Sequence, residues 1–549
     1  MSPAVALDTR AWKSFSSAGL LLGTLFAAFS LTPSLLPRSA LMQGLVAGLS
    51  LAAGYAIGVI GGALWRYLEL PLPRPRAARI VRAVAGVACL AVAVIFLLQA
   101  PEWQDSIRVQ MDMPPVESTR PLTVGFIALL VFIVLLVAAR LFRFTYRWIA
   151  QRLRRFVPRR VSNVVAIAVA AMLFWSAMEG LLFRYLMNAA DQSFQQLDAL
   201  MEPEAEQPRN PLKTGSTQSL LTWNDLGRAG REYIASGPSA ADLEAFFGEA
   251  TPEPIRVYVG LNSAETVAAR VRLALNEMRR VGAFERSALI LITPTGTGWV
   301  DPGAINTVEY LHRGDIASVA VQYSYLASAI SLLVEPENGA KTAEALFAAV
   351  YGHWSELPHD SRPRLYLHGL SLGALNSDRS FHIYDIVGDP FHGALWSGPP
   401  FRSETWRAAT QQRAPGSPAW LPRFRDSRVI RFTNQENRLE MPGVPWGPLR
   451  IAFLQYATDP VTFFEPSLLW RRPEWLQPPR GPDVTPALRW IPVVTMLQVL
   501  ADTRAGSITP QGHGHNYAPD DYIDAWLALT EPPGWTDAEI LRLKALFAP

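Results

Sequence analysis

The chain has 549 residues, of which 50% are hydrophobic and only 18% charged, against about 25% charged in an ordinary soluble protein. So apolar a composition excludes a disordered chain. A net charge of +3 over this length leaves no electrostatic footprint for nucleic acid, and the single cysteine, Cys89, excludes a disulfide framework or a thiolate zinc site.

The low charge is concentrated at the start of the chain. Five apolar runs, approximately Phe15–Leu36, Met42–Leu64, Ala83–Ala100, Leu122–Ala139 and Val161–Leu182, are separated by charged punctuation. Each approaches or exceeds the ~18 residues that a bilayer-crossing helix needs. Backbone in lipid must satisfy its own hydrogen bonds, so the runs are predicted as helices. The first run is long for a signal peptide and ends without a small-x-small cleavage site. The second loop carries Arg66, Arg74, Arg76, Arg79 and Arg82, and the fourth carries Arg140, Arg143, Arg147, Arg152, Arg154, Arg155, Arg159 and Arg160. The third holds Glu102, Asp105, Asp112 and Glu117 against Arg108 and Arg120. The positive-inside rule puts the second and fourth loops in the cytoplasm, with the N-terminus inside and everything after about residue 190 outside. Gly44, Gly48, Gly54, Gly58 and Gly62 recur at close to four-residue spacing, which predicts tight helix packing, within the bundle rather than between subunits. Glu179 sits near the outer end of the fifth run, as a functional candidate or a partner of Arg184.

Residues 188–254 read as a polar connector. It divides a transmembrane helical domain, 1–187, from a region of different texture, 255–549. There, apolar strands are expected at Ile255–Val259, Ala288–Ile292, Ser318–Tyr323, Arg364–Leu367, Gly393–Trp396, Arg428–Phe432 and Arg450–Gln455. Helices are expected at Ala264–Arg280, Thr342–Trp354 and Asp520–Leu529, from apolar residues at helical spacing. The alternation predicts a mostly parallel, doubly wound α/β sheet covered on both faces.

The chemistry gathers at Gly369-Leu370-Ser371-Leu372-Gly373. The bare G-x-S-x-G pattern is common. Here it follows an apolar strand and precedes small residues that can start a helix, the setting of a nucleophile elbow. Ser371 is the candidate nucleophile. All eight histidines lie after residue 300. The chain order Ser, acid, His leaves His513 and His515, in Gly512-His513-Gly514-His515, and His515, nearer the last strand-covering helix, is preferred as base. A His-x-His pair also suits a metal, but no third ligand is evident. The candidate acid is Asp459, in Asp459-Pro460-Val461 directly off a strand. Glu436 is the alternative, favoured by strict strand counting. Oxyanion stabilisation needs backbone N–H donors: Leu372, after the nucleophile, and Thr295 or Thr297 in the glycine-rich loop Thr293–Trp299.

Taken together, Ser34-Leu35-Leu36-Pro37-Arg38, Gly230-Arg231, Gly237-Pro238, Gly282-Ala283-Phe284-Glu285-Arg286, Thr293-Pro294-Thr295-Gly296-Thr297-Gly298-Trp299, Gln322-Tyr323-Ser324-Tyr325, the elbow, Gly398-Pro399-Pro400-Phe401, Asp459-Pro460-Val461 and the Gly-His-Gly-His turn resemble a bacterial membrane-anchored α/β-hydrolase family with a multi-span N-terminal domain. His368 departs from that pattern, where relatives tend to carry an acidic or other polar residue. The resemblance implies a serine-hydrolase fold and little about substrate; with the apolar runs, the expectation is about five transmembrane spans followed by an α/β-hydrolase domain, in a bacterial inner membrane. The expected activity is serine hydrolysis of an acyl ester in a lipidic or envelope substrate, without metal or organic cofactor. Two alternatives keep the architecture: an acyltransferase using the same three residues, and a membrane scaffold or transport component with an inert hydrolase domain.

Overall fold

The computed structural model describes residues 15–71, 75–116, 121–176, 206–326, 328, 331, 337–506 and 508–548. The chain forms two units. The first contains Met1–Asn188, Glu465–Leu476 and Val484–Ala505, and the second contains Ala189–Phe464, Gln477–Asp483 and Gly506–Pro549. Two stretches from within 255–549 thus group with the N-terminal helices.

Among the described residues, the N-terminal part of the first unit contains α1 (Ser17–Ser30), α2 (Ala40–Tyr67), α3 (Pro75–Arg108), α4 (Pro121–Leu153) and α5 (Arg159–Ser176). Four of them, α2 to α5, are long and apolar enough to cross a membrane. The first expected span is shorter than its apolar run. Helix α1 has 14 residues, about 21 Å at 1.5 Å per residue against a hydrocarbon core of ~30 Å. It stops at Ser30, shortly before Pro33, whose ring removes a backbone donor. Residues Thr32–Ser39 then form a turn in which Ser34, Leu35 and Leu36 are buried. Glu179, Arg184 and the end of the fifth run lie outside the described residues.

Four glycines of the α2 stripe serve two seams inside the unit, while Gly62 faces open space. A Cβ at Gly54 or Gly58 would come within 2.5 Å of a carbonyl of α1. A Cβ at Gly44 or Gly48 would come within 2.7 Å of Ile127 or Val131 on α4. The backbones approach only because no side chain intervenes.

Among the described residues, the second unit holds seven parallel strands, β1 (Ile255–Val259), β2 (Ala288–Thr293), β3 (Ile316–Val321), β4 (Arg364–Leu370), β5 (Gly393–Ser397), β6 (Ile430–Thr433) and β7 (Arg450–Leu454), in the order β1-β3-β2-β4-β5-β7-β6. Nearly every strand residue is buried, as expected for a sheet with helices on both faces. Part of the predicted connector belongs here: helices Gly227–Ala235 and Ala240–Phe247 lie in this unit, and Gly230 has no room for a Cβ against the Tyr258 ring. Register places Thr293 beside Gly369, Leu370 beside Ser397, and Ser397 beside Leu454. The loops after β2, β4, β5 and β7 therefore leave the sheet level with one another, at its carboxyl edge, where open α/β sheets bind ligands.

Candidate active site

Four of these loops build the site. Strand β4 turns into helix Leu372–Asp378 through Ser371, whose φ of 57° and ψ of −124° lie where non-glycine residues rarely sit. Such backbone costs of order 1–3 kcal/mol and persists only where the surroundings enforce it. The enforcement is visible. Ser371 N–H donates to Ser397 O at 2.9 Å. A Cβ on Gly369 would fall 2.4 Å from Gly373 C, and one on Gly373 would fall 2.2 Å from Thr293 O. The two glycines let the helix fold back over its own strand and press against the end of β2. The Ser371 side chain makes no capping hydrogen bond to that helix.

The next strand supplies Gly398, with a φ of +52°. A Cβ there would lie 2.5 Å from His515 Cε1 and 2.9 Å from Asp459 Oδ2. Ser371 is thus bound to one side of the Ser397–Gly398 link, and the His515 ring rests on the other. Gly398 is a site residue that the sequence reading did not single out, although its motif was noted.

Strand β7 delivers Asp459. Its Oδ2 lies 2.7 Å from His515 Nδ1 and accepts hydroxyls from Tyr517 at 2.6 Å and Thr462 at 3.1 Å. Its Oδ1 accepts the N–H groups of Val461 at 2.8 Å and Thr462 at 3.4 Å. Burial beside this carboxylate holds the Tyr517 phenol well above its usual range, so it stays a donor. A carboxylate so surrounded is fixed as an acceptor, and His515 must present its Nδ1–H to it. Nε2 is then the acceptor nitrogen, and it is buried with no partner among the described residues.

The glycine-rich loop after β2 faces the elbow. Thr295 N–H is engaged by Trp299 O at 3.0 Å, which removes it from the two oxyanion candidates. Gly296 N–H donates to Ser328 Oγ and Gly298 N–H to Thr295 O. Thr297 N–H has no partner among the described residues, while Gln322 Nε2 holds the Thr297 carbonyl at 3.2 Å. Leu372 N–H, in the first turn after the elbow, has no intrahelical partner available either.

A model of the Alpha/beta-hydrolase family matches residues 255–543, and a model of that family's N-terminus matches residues 31–238. The chain belongs to the Alpha/beta-hydrolase family. No curated protein and no solved structure matches it. Membership accounts for the sheet and for the strand–turn–helix at Ser371, and by itself assigns no substrate.

Within this hydrolase fold the two alternatives from the sequence sit elsewhere. Glu436 is exposed and paired with Arg438. Strand counting pointed to it because β6 precedes β7 in the chain, but β6 lies at the sheet edge and β7 lies next to β5. His513 Nδ1 is 3.8 Å from Asp483 Oδ2 and has no hydrogen-bond partner among the described residues. His368, the departure from the family pattern, is a core residue. Its Nδ1–H donates to Leu395 O at 2.9 Å, and the ring lies among Tyr522 and Trp526. Asp301 was missed. It accepts from Tyr522 Oη at 2.9 Å and from Gly303 N–H, and burial pushes its carboxyl up to about 6.

Burial also holds the His368 imidazole down at about 4, so it folds neutral. An unfolded histidine titrates near pH 6.5, so as pH falls from there to 4 the unfolded state gains a proton that the folded state refuses, and stability is lost. At 1.36 kcal/mol per pKa unit the His368 share approaches ~3 kcal/mol by pH 4. His368→Gln keeps a donor for Leu395 O without the titration. Thermal unfolding in detergent from pH 8 to 4 is expected to show wild type losing ground to this variant only below pH 6.5. Parallel curves would remove His368 from the acid response.

Proposed function

We propose that the protein is an integral-membrane serine hydrolase that cleaves acyl esters of a lipidic or envelope substrate. The observation that carries this is the pairing of His515 Nδ1 with Asp459 at 2.7 Å while Nε2 is left without a partner, across Gly398 from the strained Ser371. Ser371 Oγ attacks the acyl carbonyl carbon as His515 Nε2 takes its proton, and the carbonyl π electrons pass to the oxygen. That oxyanion is held by the N–H groups of Leu372 and Thr297. Collapse expels the alcohol, which receives the proton from His515. Water, deprotonated by the same nitrogen, then releases the acid and restores Ser371. Asp459 keeps the tautomer and stabilises the imidazolium.

The lipidic substrate follows from the four helices able to cross a membrane, more apolar length than tethering alone needs. The arginine-rich second and fourth loops support a topology with the catalytic domain outside the cytoplasm, as proposed for an inner-membrane protein. The test is labelling with a fluorophosphonate probe in native membranes. Wild type is expected to label and Ser371→Ala to be silent. Undiminished labelling of Ser371→Ala would refute the assignment. Product analysis with an added alcohol then separates hydrolysis from acyl transfer.

A further inference from the structure

The turn that carries His515 is tethered, on both sides of His513, to one carboxylate from another part of the chain. Gln435, just past β6, donates through Nε2 to Gly512 O at 2.9 Å and to Asp483 Oδ2 at 3.0 Å. Thr458, next to Asp459 in the chain, donates its hydroxyl to the same Asp483 Oδ2 at 2.5 Å. The Thr458 oxygen in turn accepts the Gly514 N–H at 3.1 Å. Asp483 is 4% exposed and Thr458 is fully buried. Gly512 and Gly514 have φ values of +86° and +61°. Glycines in the left-handed region confer no stiffness of their own, and this turn must present an imidazole to Asp459 within a few tenths of an ångström.

We propose that Asp483 is a positioning residue: by orienting Thr458 and Gln435 it fixes the Gly512–His515 turn so that His515 meets Asp459 and Ser371 together. This rests on the reading of His515 as the general base. The logic is that of donors and acceptors. Thr458 can accept from Gly514 in a fixed direction only because its proton is committed to Asp483. Gln435 can hold Gly512 O only while its amide is oriented, and Asp483 takes the second Nε2 hydrogen. Asp483 reaches no reacting atom; it acts through the hydrogen bonds of these two side chains, with the His513 ring of the same turn standing by at 3.8 Å from its Oδ2. The arrangement also gives the end of β6 a task. The residue there that serves the site is Gln435, not its neighbour Glu436.

The test compares Asp483→Ala, Asp483→Asn and Thr458→Val, each as full-length protein in detergent. The readouts are the rate and the end point of fluorophosphonate labelling, with kcat and KM on a p-nitrophenyl ester. A displacement of about 1 Å at a catalytic group costs about 100-fold in rate. Asp483→Ala is therefore expected to slow labelling and kcat by about 10- to 100-fold, with KM within about twofold and the labelling end point complete. Asp483→Asn keeps one oxygen that can accept both hydrogens, and should recover to within about fivefold of wild type. Thr458→Val, close in shape but unable to pass the tether on, should resemble Asp483→Ala and serves if that variant does not fold. The proposal is overturned if Asp483→Ala, or in its place Thr458→Val, stays within about threefold of the wild-type rate, or if Asp483→Asn is no better than Asp483→Ala. Failure of wild type to label at all would strike the serine-hydrolase reading instead, and is distinguishable on that ground.

Discussion

Replacing His515 with alanine is expected to lower kcat on a p-nitrophenyl ester by about four to six orders of magnitude, the range that loss of a catalytic base produces when nucleophile, base and acid act as one unit. Asp459→Asn should cost about 10⁴-fold through a different route. Two hydroxyls, two backbone N–H groups and the His515 Nδ1–H converge on the Asp459 carboxylate. An amide must turn its own N–H₂ toward some of these donors. If it faces His515, the ring responds by moving its proton to Nε2, which can then no longer accept one from Ser371. Turnover and the rate of fluorophosphonate labelling should fall together in both variants, while KM moves little. Glu436→Gln is the control. Its side chain is exposed and ion-paired with Arg438, so activity within about threefold of wild type is expected, since exposed pairs contribute about 0–1 kcal/mol. A large loss in Glu436→Gln with none in Asp459→Asn would reverse the assignment of the acid.

These contrasts show what sequence could and could not reveal. The elbow is a local object: an apolar strand, two glycines and a serine within a few residues determine its geometry, and it is readable from that spacing alone. The long apolar helices are legible for a similar reason, since length and hydropathy are sums along the chain. The acid is different. Whether Asp459 or Glu436 meets the histidine depends on β7 inserting between β5 and β6, a pairing fixed by contacts across the sheet and not by chain order. Thr295 fails as an oxyanion donor because of a hydrogen bond to Trp299 four residues on, which composition and spacing do not specify. Asp483 is beyond reach altogether: it lies 25 residues from Thr458 and 48 from Gln435, and nothing in its neighbourhood marks it. The first span was overread because apolar residues continue past Pro33, although the helix does not.

The same limit applies to the second large effect, in the N-terminal helical unit. Asp502 ends helix Val494–Asp502 and is fully buried; Arg38, 464 residues earlier, is buried against it with Nε 2.7 Å from Oδ1. Its other oxygen takes the Ser34 hydroxyl and the N–H groups of Leu35 at 3.2 Å and Leu36 at 3.4 Å. The guanidinium also reaches Gln43, and Gln498, one helical turn before Asp502, donates to the carbonyls of Ser30 and Thr32. The Ser34–Arg38 motif is therefore a receptor for a carboxylate that the chain brings back to the N-terminal helices. Asp502→Ala strands a buried guanidinium and three further donors. Arg38→Ala strands a buried carboxylate. Each is expected to cost about 3–5 kcal/mol, the penalty of an unpaired buried charge. In detergent this should appear as a lower thermal midpoint and a smaller monodisperse peak by size exclusion. The double variant Arg38→Met with Asp502→Leu removes both charges and keeps apolar volume, leaving only the three neutral donors of Ser34, Leu35 and Leu36 unpaired, so it should be more stable than Asp502→Ala. That inequality is the discriminating outcome. If the two single losses are each under about 0.5 kcal/mol, or the double variant is no more stable than Asp502→Ala, the ion pair is not what binds Val484–Ala505 to the N-terminal helices. If the double variant recovers, the charges specify which segment docks, while the surrounding apolar contacts supply most of the energy.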